Sequence, residues 1–311
     1  MPEEQPSIIS GLSDHSLSPI ADAKFYAAQI KTAWGRVHQR RHTVMAHGEL
    51  LASAVRYDLA GTLDGRPLRI CGVGSVVVKD SDLGQRRMLI DDLLNQAARS
   101  GAEMALLFSR SGLDDDALKR FETIDGADVI LQVAESPRHG APMTMVRGGE
   151  ERDLPAIAAM GRIRAEPFRF HLDRDADYVQ YAITRQRLRA GLGASGQRQL
   201  QFFIAEEGVT AAAYVVISVQ GTTWTLEECG DRDASGARVG ALLQALIARE
   251  PTGRRPTIRG WLPPGFLPPQ LTVVSTTPSR EIMMIRRLGA TPAVSPPLRA
   301  ADVLYWRNDI F

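Results

Sequence analysis

Residues 71–109 read CGVGSVVVKDSDLGQRRMLIDDLLNQAARSGAEMALLFS. An apolar run ends at Ser75-Val76-Val77-Val78, and a polar turn with one glycine, Gly84, follows. Apolar residues at helical spacing then run from about Arg86 to Arg99, with Gly101 placed as a C-cap. Ala105–Ser109 reads as a short buried strand. Strand, helix and strand in that order form one βαβ unit, close to the minimum length for a parallel crossover. The opening turn of such a helix leaves backbone N–H groups unpaired and carries partial positive charge. A turn entering it from a strand end aims those donors at one point, where a phosphate or pyrophosphate fits. The neighbouring strand end offers its backbone to an amide-bearing arm, as in strand addition.

Outward from this unit, Asp22 to about Gly35 is helical in period. His42–Leu59 reads as two strands turning at His47-Gly48, and Asp64-Gly65 marks the next turn. A linker is expected at Gly148-Gly149. Beyond it the element order repeats: helices to about Ala190, three strands between Gln201 and Cys229, a helix at Ala237–Arg249, and a strand at Thr257–Leu262. The expected fold is therefore mixed α/β (α+β). Two domains of similar layout are expected, 1–147 and 148–311, each a twisted mixed sheet flanked by helices.

The chain of 311 residues carries 37 Lys and Arg against 36 Asp and Glu, a net charge of +1. That balance lacks the electrostatic drive of nucleic-acid binders and polybasic membrane proteins. No apolar run approaches the roughly 18 residues of a membrane span, and MPEEQPSIIS is not a secretory signal, so a cytoplasmic protein is expected. Two cysteines exclude a disulfide framework. Cys71 reads as a core thiol, and Cys229, at a strand end, as a more open one. His38, His42 and His47 straddle different elements, so no metal site is expected.

The 71–109 segment resembles motif A of the GNAT (GCN5-related) N-acetyltransferases. The layout is similar to the tandem enhanced-intracellular-survival and fungal lysine N-acetyltransferase types. The resemblance implies an acyl-CoA-dependent N-acyltransferase. Acetyl-CoA would be the co-substrate, and the acceptor a small-molecule amine or a Lys side chain. It implies that Val76, Val77 and Val78 pair with the pantetheine arm, and that Leu83, Gly84, Gln85, Arg86, Arg87 and Met88 receive the pyrophosphate. The family turn is Gln/Arg-x-x-Gly-x-Gly/Ala; here Leu83 replaces Gln/Arg, Arg86 the central Gly, and Met88 the Gly/Ala. Arg86 and Arg87 either meet the phosphates through their side chains or close the site with their bulk.

The family's Tyr acid has no counterpart. Counting back from Phe121 gives Asp116, which also reads as part of an acidic helix start at Asp114–Asp116. Some tandem GNATs are similar in using a terminal carboxylate as base, which points to Phe311, with Asp309 second. The plain alternative is that Trp306 and Phe311 seal a domain interface. The second-half turn at Asp231–Ala237 leads with acidic residues that repel phosphate. The altered turn keeps a second reading open, a catalytically inactive GNAT-fold binding or scaffolding protein.

Overall fold

The computed structural model describes residues 19–79, 82–110, 117–134, 145–192, 198–289 and 296–311. Two short helices open it, α1 (Pro19–Gln29) and α2 (Ala33–His38), where the sequence pattern gave one. The hairpin β1 (Gln39–Ala46) and β2 (Glu49–Leu63) turns at His47 and Gly48, both at positive φ. Asp64 and Gly65, also at positive φ, turn β2 into β3 (Arg66–Val78). Paired left-handed residues match the twist of the strands they join. Helix α3 (Leu83–Arg99) crosses to β4 (Met104–Arg110), which lies parallel to β3. Leu89, Ile90, Leu93, Leu94 and Ala97 recur on one side of α3 and pack on Cys71, Val73, Ala105 and Leu107.

After β5 (Glu122–Ile124), β6 (Ala127–Val133) and β7 (Met145–Gly148), the second half repeats the theme. It contains α4 (Leu154–Ala165), β8 (Phe170–Leu172), α5 (Ala176–Gly191) and the meander β9 (Gln199–Glu207), β10 (Thr210–Gln220), β11 (Thr223–Asp231). Then come α6 (Ala237–Ile247), β12 (Thr257–Gly260), β13 (Leu271–Pro278), β14 (Glu281–Arg287) and β15 (Val303–Leu304).

Two mixed sheets result. The first runs β15-β8-β2-β3-β4-β14-β5, with β1 also on β2; the second runs β13-β6-β12-β11-β10-β9-β7. The halves exchange strands. β6 enters the second sheet between β12 and β13, and β14 enters the first between β4 and β5. A cut between 147 and 148 would therefore take strands from both sheets. The largest core cluster is continuous across the exchange, joining Ile70, Leu106 and Phe108 to Val215, Leu226 and Leu243. Among the described residues no helix is long and apolar enough to cross a membrane.

Candidate acyl-donor site and its C-terminal wall

Strand β3 is irregular beside the motif that the sequence singles out. Its register on β2 pairs Val55 with Gly74 and Ser53 with Val77, so Ser75 and Val76 together face Ala54. That is a bulge, and Ser75 sits in it at φ 48°. A non-glycine residue in this region costs about 1–2 kcal/mol. β3 and β4 pair from Ile70–Met104 to Val73–Leu107 and no further. Val76, Val77 and Val78 lie beyond the last pair, where the strands part into a wedge.

The wedge is lined by Val73, Val76, Ile90, Leu107, Ser109 and Arg86. Arg86 is only 6% exposed, although it stands in the first turns of α3. Its side chain turns inward between the strands and leaves about 20 Å³, room for roughly one water.

The mouth of the wedge is the N-terminus of α3. Asp82 caps it: its carboxylate accepts from Gln85 N–H at 3.1 Å, and its carbonyl accepts Arg86 N–H at 3.0 Å. Helix geometry commits the later amides of the turn in the same way. The donors left over lie at Leu83, Gly84 and Gln85, the last already shared with Asp82. Leu83, Arg87 and Met88 face solvent, and Arg87 pairs with Asp91 at 3.8 Å. Asp116 lies outside the described residues.

On the other face of β3, away from α3, lies Phe311. A side chain at Gly72 would begin 2.7 Å from its ring, and one at Gly74 would begin 2.9 Å from its carbonyl carbon. The two glycines share a strand face at i and i+2, and their bareness is what lets Phe311 lie there. Its ring meets Tyr57 at 4.6 Å and the edge of Phe108 at 5.5 Å. Alternating glycines inside an apolar strand are the sequence signal for such an approach, legible in Gly72-Val73-Gly74.

Helix α5 holds this segment in place. Arg185, fully buried, donates to the carbonyls of Asn308 at 2.6 Å and Ile310 at 2.5 Å. Asn308 donates to Glu228 at 2.9 Å. Arg174 forks onto Glu228 at 2.9 and 2.7 Å and faces Asp309 at 3.1 Å. Burial works to raise Glu228, but Arg174, Tyr214 and Asn308 together bring its pKa below the ordinary value. Burial also raises Asp309, and there the opposing pull of Arg174 does not win. Asp309 thus belongs to a buried ionic anchor, and its carboxylate lines a different cleft from the wedge.

The second repeat has no open counterpart at its strand-to-helix turn. Asp231 accepts Arg238 N–H at 2.7 Å and Val239 N–H at 3.3 Å, closing the start of α6 with its own carboxylate. The described residues hold no His, Cys and carboxylate grouping fit for a metal. Cys229, expected to be open, is fully buried, as is Cys71, whose thiol burial pushes up to about 12.

No protein-family model matches the chain, and no curated protein matches it. Among solved structures it is similar to a GCN5-related N-acetyltransferase from Kribbella flavida. That match has 16% identity and a TM-score of 0.60 over 87% of this chain and 65% of that one, so the chain spans less than two thirds of that protein. It is also similar to a probable N-acyltransferase of unknown function from Enterococcus faecalis V583. There identity is 12% and the TM-score 0.60, covering 91% of this chain and 73% of that one. Eis1 from Mycobacterium abscessus matches at 12% identity and TM-score 0.51, covering 88% and 72%. The chain has the GNAT fold, in a tandem arrangement.

Proposed function

We propose that this chain moves an acetyl group from acetyl-CoA to an amine, of a small molecule or a Lys side chain, at the wedge of its first repeat. The observation that carries the reading is the parting of β3 from β4 at the Ser75 bulge, with the start of α3 at its mouth. The pantetheine arm would add along Val76–Val78, and the pyrophosphate would meet the amides of Leu83, Gly84 and Gln85. Entry requires the Arg86 side chain to leave the wedge. Once outside, its guanidinium stands where the phosphates pass.

The acceptor amine would approach from the face of β3 on which Phe311 is packed over Gly72 and Gly74, which requires the Phe311 ring to draw aside, and attack the thioester carbonyl directly, in a ternary complex. A strand N–H at the bulge would polarise that carbonyl. Where Phe311 carries a free carboxylate, that group lies on the same face and takes the proton that the amine gives up. The C–N bond forms as the C–S bond breaks, and CoA leaves as its thiolate. Holding both reactants in one slot supplies much of the acceleration.

Arg86 in the wedge and Asp82 across the donors favour a second reading, a GNAT-fold binding protein without catalysis. One experiment separates the two. Acetyl-CoA at 100 times Kd adds about 2.7 kcal/mol of stability and raises the melting temperature by several degrees. CoA release with a panel of amines then reports transfer. A melting temperature indifferent to acetyl-CoA at millimolar concentration would overturn the enzyme reading.

A further inference from the structure

A second cleft, of about 480 Å³, lies between the last turn of α4, the β8–α5 connection and the segment 304–309. β8 pairs with β2 at Gly61–Leu63, whereas Val55 of the same strand faces Gly74 beside the bulge. Seven residues separate Val55 from Thr62, or roughly 23 Å at about 3.3 Å per strand residue. The cleft shares no lining residue with the wedge, although Tyr305 of the one meets Phe108 of the other at 5.5 Å, and its volume is that of a small-molecule site.

The lining divides by chemistry. Ala165, Leu172, Leu304 and Trp306 supply an apolar wall. Glu166, Asp173 and Asp175 stand exposed around it, against the cation Arg162 and the imidazole of His171. Arg174, at the floor, adds no free positive charge, since Glu228 and Asp309 already share its guanidinium. Asp309 is fully buried there, its Oδ1 3.1 Å from Arg174 Nε and its Oδ2 accepting Trp306 N–H at 2.8 Å. The cleft thus joins an apolar trough to a rim with an excess of carboxylates.

We propose that this cleft binds an alkyl diamine, with its methylene chain along the apolar wall and its ammonium groups at Glu166 and Asp173. Asp175 caps α5 by accepting Tyr178 N–H at 2.7 Å, and Asp173 accepts the Thr62 hydroxyl at 3.3 Å, yet all three carboxylates remain exposed at the rim and would repel an anion. The inference does not depend on acyl transfer, and its test contains no acyl donor.

Calorimetric titration with 1,5-diaminopentane tests it, with pentane-1,5-diol as the uncharged control of equal length. Saturable binding of the diamine and none of the diol is the expected result. The double variant Glu166→Gln, Asp173→Asn should weaken the diamine at least tenfold while keeping its melting temperature, because both side chains are exposed. Raising salt from 50 to 500 mM should weaken binding further. Absence of saturable binding at millimolar diamine, equal binding of the diol, or an affinity that the double variant leaves unchanged would each overturn the proposal.

Discussion

The carbonyl carbon of Phe311 lies 2.9 Å from the point where a side chain on Gly74 would begin. A residue near the far end of the chain is thereby fitted to the strand bulge of the first repeat. Gly74→Ala is expected to push Phe311 off β3 and cost about 1–3 kcal/mol through overpacking. Urea unfolding of Gly74→Ala, Phe311→Gly and the double variant measures it. The double variant should come close to the sum of the singles, because Phe311→Gly removes the ring but leaves the carbonyl group of residue 311 and the Tyr57 ring against which the new methyl would press.

Arg86→Ala is expected to open the wedge. Pantetheine lacks the pyrophosphate, so its affinity reports the slot alone and should rise several-fold. Acetyl-CoA loses a phosphate partner in the same variant, and its binding should become less sensitive to salt. Titrations of both ligands at two salt concentrations distinguish plug from phosphate ligand.

Removing Arg174 strands two buried carboxylates. Arg174→Ala is expected to cost about 3–5 kcal/mol, the usual loss when one partner of a buried ion pair is taken away. The sign with pH follows from Glu228, whose folded pKa lies below its ordinary 4.5. Its contribution is present above pH 4.5 and lost as the pH falls through the folded value. The deficit of the variant should therefore be larger at pH 7 than at pH 4, in denaturant unfolding at each.

Cys71, held up to about 12 by burial, is overwhelmingly protonated at pH 8, and Cys229 is pushed up as well. Neither thiol should react with a disulfide reagent in the folded protein. Both should react in 8 M urea, and a native rate above the unfolding rate would contradict the buried placement.

Fragments 1–147 and 148–311, expressed apart, are each expected to lack a strand that their sheet needs. Circular dichroism should find neither folded, and co-expression should recover a complex on gel filtration.

The sequence was legible where local chemistry governs. The paired turn residues at His47-Gly48 and Asp64-Gly65 placed the strands, and the spacing from Leu89 to Ala97 placed the helix. What it withheld is non-local. Nothing in the pattern of β6 or β14 tells which of two similar sheets each will join, since either offers an apolar edge. Arg86 shows the same limit at the site, because an arginine in a first helical turn reads as a solvent or phosphate contact until the parted strands are seen to admit it. Asp309 read as a catalytic candidate through its nearness to Phe311; Arg174, far off in sequence, draws it into the anchor.

The exchange of strands also sets a timetable. β4 receives one edge partner from β14, with Arg110 beside Glu281. A ribosome must therefore make some 170 further residues before that edge is covered. Until then the newborn first half carries an open apolar strand, the kind of edge on which chains aggregate. Pairing across such separations is slow to close. Chaperone demand during synthesis should accordingly be highest between the emergence of β4 and that of β14. The wedge, whose far wall β14 supports, would be among the last parts of the molecule to take shape.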